Sequence, residues 1–210
     1  MVIDDRLWCA ALTCGVIAGC SSSNDVADDP RNQAQVAAGQ TLGNQLSSQF
    51  QATVSGQDTV TIDSEIAGVL LTINNGHIAE AQLVLPLIRT TDVVAFANQE
   101  VSDHTQSNQQ LATVLTDTGL QAQTSAVTDS LMAAVASQMT GLGQPAPQVS
   151  DLELSYVELQ VMMHAAEIVL VNTMGTFVTN SELASFTSDA QDMLGNHLAS
   201  AEQIVHDDFQ

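Results

Sequence analysis

The chain has 210 residues, with 24 acidic side chains against three arginines and no lysine, a formal charge of −21 at pH 7. So few cations cannot neutralise phosphates, which argues against nucleic acid as a partner and disfavours an anionic lipid surface. With one Trp and one Tyr, an aromatic platform for sugars or bases is not expected either.

Leu7 to Gly19 is a short apolar run ending in Ile17-Ala18-Gly19-Cys20 and followed by Ser21. It is too short to span a bilayer and reads as a signal-peptide core. Its last four residues match a bacterial lipobox, in which the cysteine is lipidated and becomes the new amino terminus. Residues 1–19 are therefore expected to be a lipoprotein signal peptide, although Asp4 and Asp5 outnumber Arg6 where positive charge is usual. Cys9 and Cys14 would leave with the leader, so no disulfide and no cysteine metal site is expected. A lipid on Cys20 would tether the chain to a membrane, and Ser21 resembles the residue that sends lipoproteins to the outer membrane, facing the periplasm.

Residues 20–60 are rich in Ser, Asn, Gln, Asp and Ala and read as a flexible polar linker. The domain is expected over residues 61–208. A first helix is predicted from Asp63, with Ile66, Leu70, Ile73, His77, Glu80, Val84 and Leu87 along one seam. A second runs from Thr91 or Asp92 to Gly119, a natural helix-ending residue. Ala126 to Met139 could form a modest helix within a long crossover that breaks at Gly141–Pro147. Ser150-Asp-Leu-Glu153 has the form of a capping box opening the third seam helix, and Asn180 or Ser181 starts the fourth. No stretch alternates long enough for a sheet, so the fold class is all-α, a four-helix bundle with a long crossover between helices two and three.

Each seam carries an ionisable group at about the matching height. Counted from the shared end of the helices, Glu80, His104, His164 and His197 differ in height by no more than about 8 Å. One carboxylate and three imidazoles from four helices suit a single divalent metal, Zn, Fe, Mn or Cu. Asp103, Asn108, Glu100 and Glu167 are placed to orient the imidazoles, and His77 lies one turn from Glu80 on the same face. The competing reading is a metal-free polar network that fixes bundle register. Paired Glu-x-x-His elements are absent, which weighs against a carboxylate-bridged di-iron site. The chain also lacks Gly-x-Ser-x-Gly, His-Glu-x-x-His and phosphate-binding loop motifs.

Asn75-Gly76-His77-Ile-Ala-Glu80, Asp92-Val-Val-Ala-Phe96-Ala97, Asp103-His104-Thr-Gln-Ser-Asn108 and Asn196-His197-Leu198 together resemble the bacterial family known as domain of unknown function 4142, described as ferritin-like exported proteins. The resemblance spans about residues 63 to 205. It implies a ferritin-like bundle in the periplasm or on the outer membrane, with polar positions at Glu80, Asp103, His104, Asn108, His164 and His197, and no established activity. Gln99-Glu100-Val101 departs from the Arg-Met pair usual there.

The expectation is thus a lipid-anchored metal-binding bundle with a metal-handling or envelope-stress role. Its rival is a structural or interaction lipoprotein with a polar core. An oxidoreductase would need an open coordination position on bound Fe or Cu.

Overall fold

The computed structural model describes residues 26–209; the expected leader, Cys20 and its anchor lie outside them. The described residues form six α-helices and no strand: α1 (Pro30–Val54), α2 (Thr59–Val84), α3 (Thr91–Thr118), α4 (Ala126–Leu142), α5 (Val149–Gly175) and α6 (Ser181–Asp208). The all-α expectation holds, but two helices are added to the four that the seams predict.

The first addition, α1, takes up most of the stretch expected to be a flexible linker, residues 20–60. α1 opens at Asp29, whose side chain accepts from Arg31 N, with Pro30 in the first turn. Gly39 and Gly43 then set its backbone directly on α5. A Cβ at Gly39 would stand 2.2 Å from the Met162 carbonyl oxygen, and one at Gly43 would stand 2.4 Å from that of Ala166. Leu46, Phe50 and Val54 follow into the core. Glycine four residues apart removes the side chains that would hold two helices at ordinary distance, so a segment with few large residues still packs. The second, α4, is the modest helix expected from Ala126 in the crossover, running on to Leu142; it packs on α2, with Val135 over Gly76.

Helix ends fix the topology. α2 is capped by Asp58, not Asp63. Asp63 is instead buried and accepts from Thr179 N, Thr179 Oγ1 and Asn180 N, fastening the α5–α6 turn to the start of α2. Glu153 plays the same part at the other end. It accepts from the backbone N–H groups of Arg89 and Thr90 and from Thr90 Oγ1, so it is not free to cap α5; the capping box there is Gln148 with Asp151, which accepts from Gln148 N, and not the expected Ser150 with Glu153. α3 and α5 therefore start at the same end and run parallel. α3 stops at Gly119 with φ 71°, as predicted. Leu87 lies just past the end of α2 and is 44% exposed, so the first seam ends at Val84.

Neighbouring pairs run α2–α3, α3–α6, α6–α5, α5–α1, α1–α4 and α4–α2. Two apolar clusters fill the interior at its two ends. One gathers Phe50, Ile66, Leu70, Leu111, Leu170 and Leu183. The other gathers Val84, Phe96, Tyr156, Val157, Val161 and Val205. Between them α2, α3, α5 and α6 contribute a layer of buried polar groups. α5 is apolar and long enough to cross a membrane by composition alone, but 61% of its most apolar window is buried among the other helices.

Candidate metal centre

Glu100 is the middle of the polar layer. Its side chain is fully buried on α3, and four imidazoles from all four contributing helices converge on its two oxygens. His104 Nε2 lies 3.1 Å from Oε2 and His77 Nδ1 3.5 Å from it. His197 Nδ1 lies 3.0 Å from Oε1 and His164 Nε2 3.5 Å from it. Ligand atoms of His77, Glu100, His104 and His164 all fall within 4.8 Å of one another. Two donors at ~2.0–2.1 Å from a tetrahedral ion stand roughly 3.3 Å apart, so this spacing fits a first-row dication.

Outer partners set the protonation of the rings. His104 Nδ1 meets Asn74 Oδ1 at 2.9 Å, and the Asn74 amide nitrogen donates to Ser107 Oγ and Asn108 Oδ1. The Asn74 oxygen can only accept, so His104 carries its proton on Nδ1 and turns the Nε2 lone pair toward Glu100. His164 Nδ1 donates to the Gln160 carbonyl at 2.8 Å, leaving Nε2 in the same state. His197 Nε2 donates to Asp103 Oδ2 at 2.9 Å, which leaves Nδ1 as its inward atom. Each of these three imidazoles thus has its outer N–H held by an oxygen acceptor, the arrangement that orients histidine ligands.

His77 is different. Nε2 faces Glu167 at 2.6 Å, and Nδ1 faces Gln160 Oε1 at 2.9 Å. Gln160 donates its amide N–H to Glu80 Oε2 at 2.9 Å, so its oxygen accepts. With acceptors on both sides, His77 is an imidazolium. Burial opposes that charge, but Glu167 beside it and the carboxylates of Glu100 and Glu80 raise it to about 10. It stacks between the His104 and His164 rings, with centroids 4.5 and 4.4 Å away. Although His77 lies within the distance set and His197 completes it only through Glu100, hydrogen bonding favours His197 as the third nitrogen ligand.

Electrostatics agree with that division. Burial drives His104 down to about 4 and holds His164 well below the ordinary histidine range, so both are neutral near pH 7. Burial also works against Glu100, but the charge of the imidazoles around it, the His77 imidazolium among them, keeps it ionised and well below the usual carboxylate range. For His197, burial is outweighed by the carboxylates of Glu100 and Asp103, one beside each ring nitrogen, which raise it; a proton on Nδ1 then occupies the place of an ion. The lone pairs of His104 Nε2 and His164 Nε2 still confront carboxylate oxygens. Both oxygens of Glu100, and the inward nitrogens of His104, His164 and His197, are buried without a hydrogen-bond partner. Five such atoms aimed at one another are costly unless a cation joins them.

A family comparison now bears on the chain. The family model for the domain of unknown function DUF4142 matches residues 44–204. The chain belongs to the DUF4142 family. The match starts inside α1 and takes in every helix that contributes to the polar layer. No curated protein and no solved structure matches this DUF4142 chain.

In this DUF4142 protein His104, His164 and His197 meet at one carboxylate, and that carboxylate is Glu100. Glu80, expected as the anionic ligand, is buried beside the cluster on Gln160, where burial raises it to about 7. Asp103 orients His197; Asn108 acts one step further out, through Asn74; Glu167 pairs with His77. Sequence reading missed Asn74 and Gln160. Glu100, expected only to orient an imidazole, is the central carboxylate, because the buried stripe of α3 runs Phe96, Ala97, Glu100, His104, Ser107, Leu111. The signal for Glu100 was present: spaced four residues from His104, it shares its face. Another lay in the two His-x-x-Glu pairs, His77–Glu80 and His164–Glu167, which place a carboxylate one turn beyond each histidine on the long core helices.

Proposed function

We propose that this protein is a ferritin-like bundle that binds one divalent first-row transition metal through Glu100, His104, His164 and His197, tethered by Cys20 to the outer membrane and facing the periplasm. The observation that carries the metal reading is the pairing in each of three imidazoles: an outer N–H held by an oxygen acceptor, and an inward nitrogen facing a partnerless carboxylate. Neutral imidazoles supply nitrogen ligands, and one anion offsets part of the dication's charge. The pair of His77 and Glu167 adds a cation and an anion beside the site and leaves its charge unchanged. A metal-handling or envelope-stress role follows from a fixed, buried site in an exported acidic protein. The tether rests on the Ile17–Cys20 lipobox alone.

The test is elemental mass spectrometry on purified protein reconstituted with Zn, Fe, Mn and Cu in turn, beside Glu100→Gln and Glu80→Gln. Near-stoichiometric metal in wild type and Glu80→Gln, with none in Glu100→Gln, supports the assignment. Loss in Glu80→Gln but retention in Glu100→Gln would return the anionic ligand to α2. If wild type binds none of the four ions, the layer is a metal-free network that fixes helix register, and the role is structural.

A further inference from the structure

The cluster is sealed at nearly every point. Side chains of His77, Glu100, His104, His164, Glu167 and His197 are at most 3% exposed. Their direct hydrogen-bond partners Asn74 and Gln160 are buried as well. Asp103 is the exception, with 34% of its side chain exposed while it holds His197.

Asp103 opens into a groove of about 200 Å³ between α3 and α6, lined also by Ser107 and Gln110 on one side and by Asp189, Ala190 and Met193 on the other. That volume has room for several water molecules. Its floor belongs to the outer shell of the candidate centre. Asp103 accepts from His197 Nε2, and Ser107 Oγ accepts from Asn74, whose oxygen fixes His104. One imidazole separates the solvent-facing carboxylate of Asp103 from the buried carboxylate of Glu100, since the two lie on opposite nitrogens of His197. The described arginines are committed elsewhere. Arg31 is bound at the α1 start to Asp29 and the Val205 and Phe209 carbonyls, and Arg89 is bound at the α2–α3 turn to the Pro86 and Ile88 carbonyls. The groove therefore presents two carboxylates, Asp103 and Asp189, in a strongly acidic molecule.

We propose that the α3–α6 groove is the access port through which a hydrated divalent cation reaches the buried cluster, with Asp103 as its first anionic contact and the His197 ring as the door. The inference rests on the metal-binding reading above. The room for water in the groove and the hard oxygens of Asp103 and Asp189 allow the ion to exchange hydration stepwise. Displacing the His197 ring then connects Asp103 to Glu100, and the ring closes behind the ion as a ligand. Acidic groups at the mouth raise the local cation concentration.

The experiment follows loading of chelator-stripped protein with Co²⁺ by its visible absorption in a stopped-flow instrument. Met193→Trp fills the groove. Ser200→Trp fills the neighbouring α3–α6 cleft, which is lined by Asp92, Phe96, Gln99 and Ala199, and serves as the control. Met193→Trp is expected to load more slowly by on the order of tenfold, because uptake then waits on local opening of the helix pair. Final stoichiometry and spectrum should match wild type, and Ser200→Trp should load at the wild-type rate. Asp189→Asn gives a second readout that does not depend on a bulky side chain. It should slow loading several-fold at low salt and converge with wild type at high salt. Unchanged rates in Met193→Trp and Asp189→Asn, or equal slowing in Met193→Trp and Ser200→Trp, overturn the port while leaving the site intact. A wild type that never takes up cobalt overturns the site and the port together.

Discussion

Substituting Gly43 by alanine tests whether α1 is part of the domain that carries the site. The added Cβ would stand 2.4 Å from the Ala166 carbonyl oxygen, about 1 Å short of the 3.4 Å at which ordinary contact begins. Backbone cannot swing aside as a side chain can, so α1 must retreat from α5 by about that distance. A gap of 0.5–1 Å already forfeits roughly a quarter to a half of the dispersion well for the atoms that face it, and buried Leu46, Phe50 and Val54 lie along the same face. Overpacking of this kind costs about 1–3 kcal/mol, and the upper end applies because the clash is with main chain. At about 2–4 °C per kcal/mol for a chain of this size, Tm should fall by about 6–12 °C. Gly195→Ala is the control. It lies inside α6 with nothing within 4 Å of its Cβ position, so relief of glycine's entropy cost should stabilise by about 0.5–1 kcal/mol. Thermal unfolding by circular dichroism, on protein stripped of metal, reads both. A Tm for Gly43→Ala within one degree of wild type would refute the argument, since it would mean that α1 can leave α5 without cost. Loss should extend to the site, because α5 carries Gln160, His164 and Glu167 on its inner face.

Two further outcomes are expected. Asp103→Ala removes the acceptor that orients His197, which should weaken metal affinity by about 10–100-fold with stoichiometry retained at saturating metal, measured by chelator competition; unchanged affinity would mean that His197 is not a ligand. Stability of metal-stripped protein should fall as pH drops from about 6.5 toward 4. His104 has a folded value near 4, so the unfolded chain binds the proton first across that window, at a cost of about 3 kcal/mol when complete. His77 has the opposite sign: raised to about 10, its contribution is complete below about 6.5 and is lost as pH climbs toward 10. Urea midpoints across pH should therefore show an acid limb that His104→Gln flattens and an alkaline limb that His77→Gln flattens. Limbs unaltered by both substitutions would place these titrations elsewhere.

α3 and α6 were readable from periodicity because each has one face on the core and one in water, and their ends carry ordinary signals, Gly119 and Asn180. α5 is buried on most sides by α1, α6 and the interior, so its polarity has little period to follow, and Gln160 is lost among apolar neighbours, whereas Glu167 stands out one turn beyond His164. Composition hid α1 for a related reason. Its adhesion comes from the absent side chains of Gly39 and Gly43, which hydropathy scores as nothing.

The histidines announced a site because an imidazole in an apolar line needs a partner, and that need is a property of the residue and its spacing. Which carboxylate answers it is a matter of rotation and height between helices. Glu80 and Glu100 are chemically alike and both face inward. The Glu153 and Asp63 clasps at the two ends hold the α2–α3 hairpin against the α5–α6 hairpin, and in that register Glu100 stands among the imidazoles and Glu80 on Gln160. Residue spacing along one helix says which groups share a face, but only the packing of several helices fixes the few ångströms that separate a ligand from its neighbour.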